Sequence, residues 1–149
     1  MKKIQTYSEI KKRLQEADLK ITPQRVAVLE ALNNLNHPSV EAIFDFIQTK
    51  QPGISLGTVY KTLESFENKG LAGKVLSEEG TFRYDWNTGE HNHIYCTNTM
   101  EIVDFEDSEL QEMLEVYFKK KKLKNIRIQN IRLQINVEKV EPEKEISIE

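Results

Sequence analysis

His91 and His93 stand two residues apart, with Asp85 and Asp104 close by in the sequence; the remaining histidine, His37, lies far upstream before Pro38. In extended backbone, residues two apart point to the same side, so the pair offers two imidazoles to one ion. Asp85 and Asp104 are near enough to join them, and a third imidazole has to come from His37. Such a site would staple two parts of the chain together. Imidazole and carboxylate without thiolate suit Fe²⁺, Mn²⁺ or Zn²⁺, with geometry choosing among them. The plain alternative is that the three histidines are surface or satisfied core residues.

Composition narrows the setting. The chain has 149 residues, 38% of them hydrophobic, which supports one domain or two small ones. Cys96 is the single cysteine, so an internal disulfide and a four-cysteine zinc site are both excluded, and it reads as a small buried residue in a strand. No apolar run approaches the roughly 20 residues that span a bilayer. The stretch Met1 to Tyr7 lacks a signal-peptide apolar segment. A cytoplasmic protein with no membrane partner is expected. The formal charge of −3 is uneven: residues 1–75 carry eleven Lys/Arg against eight Asp/Glu, residues 76–149 ten against sixteen. That asymmetry suggests different partners for the two halves.

The elements that must position these residues begin with helices. Tyr7, Ile10, Leu14 and Ala17 recur at helical spacing. Thr22-Pro23 supplies an N-cap hydroxyl followed by a first-turn proline, starting a helix that buries Val26, Leu29 and Leu32 and ends near residues 33–36. His37 falls in the turn that follows, or just at the entry of the next helix. Ser39 caps a third helix with Val40, Ile43, Phe44 and Ile47 on one stripe. Ser55 opens a fourth, with Leu56, Val59, Tyr60, Leu63 and Phe66 as its inner stripe and Gly70 as its stop. Its outer face carries Gly57, Thr58, Lys61, Thr62, Ser65 and Lys69, small, hydroxylated and cationic. Residues 71–75 and 81–85 then bracket a turn and read as a β-hairpin. Helices followed by a hairpin is the order of a winged helix, whose last helix reaches base edges in the major groove.

Residues 86–90, Trp-Asn-Thr-Gly-Glu, have turn composition and read as a linker. Two strands, 93–96 and 102–105, follow. Leu110, Met113, Leu114, Tyr117 and Phe118 then mark an amphipathic helix, and Lys119 to Lys122 form its solvated, cation-favouring end. From Ile126 the chain alternates, with Ile126 and Ile128 out of phase with Ile131, Leu133, Ile135 and Val137. Either a bulge near Asn130 restores one buried face, or both faces are partly covered. A strand this long on so small a subdomain calls for an outside partner, and a second copy of the chain is the economical one.

The chain resembles the ferric-uptake-regulator (Fur) family and, within it, the peroxide-responsive repressors of the PerR type. The motifs that carry the likeness are Ile-Thr-Pro-Gln-Arg at 21–25, His37-Pro38, Ser-Leu-Gly-Thr-Val-Tyr at 55–60, Tyr84-Asp85, His91-Asn92-His93 and Glu-Ile-Val-Asp-Phe at 101–105. The resemblance implies an α+β chain: a winged-helix DNA-binding domain at 1–85, a hinge at 86–90, a small α/β dimerisation domain at 91–140 and an acidic tail at 141–149. It implies a homodimeric repressor that binds a pseudo-palindromic operator in double-stranded DNA. Its regulatory Fe²⁺ or Mn²⁺, with Zn²⁺ as an occupant in isolated protein, would be held by His37, Asp85, His91, His93 and Asp104. Aspartate at both carboxylate positions looks like the peroxide-sensing branch. There, five ligands leave Fe²⁺ a position open to hydrogen peroxide, and His37 or His91 takes up the oxidation. Tyr60, Lys61 and Thr62 match residues at bases and phosphate, with Gly57 and Thr58 on the same helix face, and Gln24 and Arg25 brace the backbone.

Two departures stand out. Relatives commonly hold a structural zinc with two Cys-x-x-Cys pairs, whereas the first pair here reads Cys96-Thr97-Asn98-Thr99 and the second is missing. No structural zinc is expected. A second metal cluster of some relatives is replaced by Glu90, Asn92, Gln111 and Ile131. The alternatives are an iron- or manganese-uptake regulator without peroxide sensing, a winged-helix dimer with no metal response and, from another class, a mononuclear non-haem iron enzyme.

Overall fold

The computed structural model describes residues 6–77, 80–89 and 91–148. Glu90 at the end of the expected hinge, and residues 78–79 in the expected hairpin turn, lie outside the described residues. The chain divides into two units, Met1–Thr88 and Gly89–Glu149.

The first unit holds α1 (Tyr7–Glu16), α2 (Pro23–Asn34), α3 (Val40–Gln48), α4 (Leu56–Asn68), β1 (Gly73–Leu76) and β2 (Phe82–Asp85). Each helix starts on a hydroxyl cap. Thr6 and Glu9 close a reciprocal capping box, and the side chains of Thr22, Ser39 and Ser55 accept from the backbone N–H of Arg25, Ala42 and Thr58. Thr22→Ala is therefore expected to lower the unfolding free energy by about 1 kcal/mol, read from urea denaturation. Gly70, at φ 74°, ends α4: its N–H bonds Glu67 O at 3.1 Å and Leu71 N–H bonds Phe66 O at 2.8 Å. This double closure needs a left-handed residue, which glycine supplies.

α2 packs against α1, α3 and α4 and is buried on nearly all sides, through Val26, Ala27, Val28, Leu29, Ala31 and Leu32. The inner stripe of α4 is Val59, Leu63 and Phe66. Leu56 and Tyr60, read from spacing as inner residues, are instead exposed, Tyr60 by 48%. Once Val59 points inward, Leu63 and Phe66 complete the stripe four and seven residues on, and Tyr60 is turned about 100° away. Trp86, which its neighbours' composition assigns to the linker, is buried in this unit's core, with the Arg13 guanidinium 3.8 Å over its ring. Burial holds the Arg13 pKa below its ordinary value, outweighing the opposite pull of Glu16.

The second unit holds β3 (Asn92–Cys96), β4 (Ile102–Phe105), α5 (Ser108–Lys120) and β5 (Gln134–Val137), in a sheet ordered β4-β3-β5. β3 pairs antiparallel with β4 and parallel with β5, and all five of its residues are buried. α5 is capped by Asp107, but none of its residues is buried within the unit. The ladder of β5 covers only Gln134–Val137, not the long strand expected from Ile126 onward. A strand needs a partner for its N–H and C=O groups, and β3 offers five residues; Ile126 and Ile128 stay exposed at 61% and 43%. The two units together are mixed α+β. No helix among the described residues is long and apolar enough to cross a membrane.

Candidate metal centre

In the first unit, the turn between α2 and α3 and the end of β2 bring His37 and Asp85 together. His37 is non-glycine yet sits at φ 46°, a left-handed conformation that costs on the order of 1–3 kcal/mol and persists where its surroundings enforce it. Those surroundings come from β2. Tyr84 N–H donates to Pro38 O at 2.9 Å, Arg83 Nε donates to His37 O, and Ser39 bridges to Arg83. His37 Nδ1 lies 3.0 Å from the Asn36 side-chain oxygen, which only accepts, so Nδ1 carries the proton. Nε2 is left facing Asp85 Oδ2 at 3.5 Å. Both side chains are buried. The other Asp85 oxygen accepts from Asn87 N–H at 2.9 Å, which fixes the carboxylate.

In the second unit, antiparallel pairing sets His93 directly opposite Asp104, and His91, just before β3, brings its ring alongside that of His93. The His91 and His93 Nε2 atoms are 3.0 Å apart, and each lies 3.4 Å from Asp104 Oδ1. His91 Nδ1 donates to Gly89 O at 2.6 Å, so a neutral His91 ring presents a bare Nε2 to the cluster. Two imidazole lone pairs at this distance repel unless a proton or a cation lies between them. Ligand atoms sharing an ion at about 2.0–2.2 Å sit roughly 2.8–3.6 Å apart for bond angles between right and tetrahedral. Both groups of side chains meet that spacing, and the donor set of nitrogen and carboxylate oxygen fits Fe²⁺, Mn²⁺ or Zn²⁺. Hydrogen bonds that orient each imidazole are the usual second layer of such a site. Asn36 and Gly89, which supply this layer for His37 and His91, carry no pattern that sequence reading detects.

The surface residues singled out for DNA fall in the first unit. Gly57, Tyr60 and Lys61 are exposed on α4, and a Cβ built at Gly57 would meet only Ser55 Oγ at 3.9 Å, so that face is open to close approach. Thr58 and Thr62 are half-buried, and the Thr62 hydroxyl donates back to Thr58 O at 2.8 Å. Gln24 is exposed on the first turn of α2, while Arg25 is half-buried with its guanidinium on Lys20 O at 2.9 Å. Gln24 and Thr58 share a cleft of about 330 Å³ with Gln51, Gly53 and Ile54, three residues that the sequence did not single out.

The ferric uptake regulator family model matches residues 16–136. The chain belongs to that family. It is 38% identical over 101 residues to the peroxide operon regulator of Bacillus subtilis (strain 168), covering 67% of this chain and 70% of that protein. The Fur-family chain also overlays the Helicobacter pylori ferric uptake regulator, described as having three functional metal-binding sites, with a TM-score of 0.74 and 25% identity over 99% of this chain and 100% of that one. A Pseudomonas aeruginosa ferric uptake regulator solved with manganese gives a TM-score of 0.72 and 25% identity over 89% and 98% of the two chains. The protein is thus a Fur-family metal-responsive regulator close to the peroxide-responsive repressors.

Proposed function

We propose that the protein is a homodimeric repressor that binds a pseudo-palindromic operator when Fe²⁺ or Mn²⁺ is bound, and that it releases DNA after peroxide oxidises a ligand histidine. The observation that carries this reading is the convergence of His91 Nε2, His93 Nε2 and Asp104 Oδ1 within 3.4 Å. His37 and Asp85 are proposed as the remaining ligands of the same ion. Drawing ligands from both sides of the 86–90 hinge makes affinity depend on the hinge's state, and the ion stabilises the DNA-binding state by its differential affinity alone. Bound Fe²⁺ supplies the redox chemistry with peroxide. The residues hold the imidazoles within reach of it, and an oxygen added to His37 or His91 removes a ligand.

The exposed α4 face of Gly57, Tyr60 and Lys61 favours major-groove reading, with Thr58 and Thr62 beside it and Gln24 and Arg25 against the backbone. A second copy of the chain is favoured by the apolar surface of the second unit: Met113, Val116 and Tyr117 on α5, with Leu123, Ile126 and Ile128 beyond it, are all exposed. We propose that Cys96 holds no structural zinc. The Cys96 thiol donates to Asn98 Oδ1 at 2.9 Å, and the Thr99 side chain hydrogen-bonds the same sulfur. Neither is a zinc ligand of the usual kind. Membership of a family of regulators weighs against the enzyme reading.

The test is to select duplexes from a random DNA pool with Mn²⁺-loaded protein, then measure binding with Mn²⁺, with chelator, and with Fe²⁺ before and after peroxide. Expected are a pseudo-palindromic sequence, weak binding with chelator, and peroxide release of the Fe²⁺ form but not the Mn²⁺ form. Operator affinity indifferent to chelator would overturn the reading; release without added oxygen on the His37 or His91 peptides would overturn its peroxide branch.

A further inference from the structure

The strand β2 carries more than the carboxylate of Asp85. Arg83 and Asp85 are two residues apart in extended backbone and share one face of the strand, while Tyr84 points into the core on the other. From that shared face Arg83 Nε donates to the main-chain oxygen of His37, the residue held in left-handed backbone. We propose that Arg83 is a positioning residue for the metal: its guanidinium keeps the His37 turn in the conformation that aims Nε2 at Asp85. One strand face thereby delivers one ligand and secures the other. The inference rests on the reading of His37 and Asp85 as metal ligands.

The placement is not explained by helix stability. The bonded carbonyl lies two residues before the N-cap of α3, where the positive pole of the helix disfavours a cation. Neighbouring contacts also do not make Arg83 redundant. Tyr84 N–H holds Pro38 O and Ser39 bridges to Arg83, both beyond His37 in the chain, whereas the Arg83 guanidinium bonds the main-chain oxygen of His37 itself. A long, forked guanidinium reaching a carbonyl 46 positions away is a tertiary contact that orients the turn itself.

Arg83→Met removes the donor and keeps the apolar stem; Arg83→Lys keeps a donor. Mn²⁺ affinity is measured by titration for both, for His37→Ala, and for the His37→Ala/Arg83→Met pair, with circular dichroism confirming the fold. Arg83→Met is expected to weaken Mn²⁺ binding about 10–100-fold, as loss of a supporting partner does. Arg83→Lys is expected to recover part of that loss, and Arg83→Met to add nothing in the His37→Ala background. If Arg83→Met binds Mn²⁺ like the unaltered protein while His37→Ala is weakened, the positioning role is wrong and the site stands. The same loss with and without His37 means a general structural effect and also overturns the proposal. If His37→Ala itself leaves Mn²⁺ binding unchanged, the reading of the site fails first and takes this inference with it. Should Arg83→Met not fold, Arg83→Gln, whose amide still donates, is compared with Arg83→Leu, which cannot: a loss in Arg83→Leu that Arg83→Gln largely escapes supports the bond, and equal affinities overturn it.

Discussion

Alanine at position 93 is expected to weaken Mn²⁺ binding by at least about a hundredfold and to abolish metal-dependent DNA binding. The size follows from what the imidazole does. His93 lies opposite Asp104 across the β3–β4 ladder, and its Nε2 is within 3.4 Å of both the Asp104 carboxylate and the His91 ring. Losing a residue that only supports a ligand costs 10–100-fold, so losing the ligand costs no less, and a hundredfold is about 2.7 kcal/mol. Swinging a two-state protein from 1:99 to 99:1 takes about a 10⁴-fold preference of the ion for one state. His93 lies on one side of the hinge, so its loss lowers occupancy rather than that preference: at a Mn²⁺ concentration that just fills the unaltered site, the variant stays almost empty and the switch is not driven. The metal-free variant should keep its fold to within about 1 kcal/mol in urea, because the removed ring sits at a polar cluster rather than in the apolar core. Unchanged Mn²⁺ affinity in His93→Ala would remove the second-unit cluster from the site.

The His-x-His pair was legible because strand alternation is a rule of period two, and it needs nothing beyond the local chain to put both rings on one side. The hydroxyl caps at Thr22, Ser39 and Ser55 were legible for the same reason: each acts within three residues of itself. What failed to show in the sequence acts at a distance or against main chain. Arg83 reaches a carbonyl in another turn, Asn36 fixes a tautomer, and Asn92 accepts from Leu133 N–H at 2.9 Å; none of these leaves a periodic trace. Tyr60 was misread because apolar residues at 56, 59, 60 and 63 fit a helical stripe in two ways, and only packing decides which one is buried. The strand from Ile126 was overextended because alternation announces a wish to pair without naming the partner. Trp86 was masked by its neighbours, whose turn composition said nothing about where an indole ring would go.

The second large effect concerns how the sheet of the second unit is closed. β5 pairs with β3 over only four residues, and two asparagines bracket that short ladder. At one end Asn92 Oδ1 accepts from Leu133 N–H at 2.9 Å. At the other, Asn98 grips Lys139 from both sides, accepting from its N–H at 3.1 Å and donating to its carbonyl at 3.0 Å. The sulfur of Cys96 belongs to the same knot. Burial alone would raise its pKa, but hydrogen bonds from Thr99 and from the backbone of Lys139, Thr99 and Asn98 prevail and hold it below the ordinary thiol value. An amide clamp thus ties the β3–β4 turn to the end of β5. At about 1 kcal/mol for each bond to main chain, Asn92→Ala/Asn98→Ala should cost roughly 2–3 kcal/mol of unfolding free energy. Most of the Asn92 share comes from stranding a half-buried N–H, while Asn98 is exposed and water replaces part of what it gives. Because either clamp alone can hold so short a strand, the double variant should lose more than the two single variants together. Sums that agree within about 0.5 kcal/mol would mean that the two ends act independently. The unaltered protein should unfold at the same urea concentration with and without a strong zinc chelator; a chelator-dependent midpoint for the second unit would mean that a metal, rather than the asparagine pair, closes its sheet.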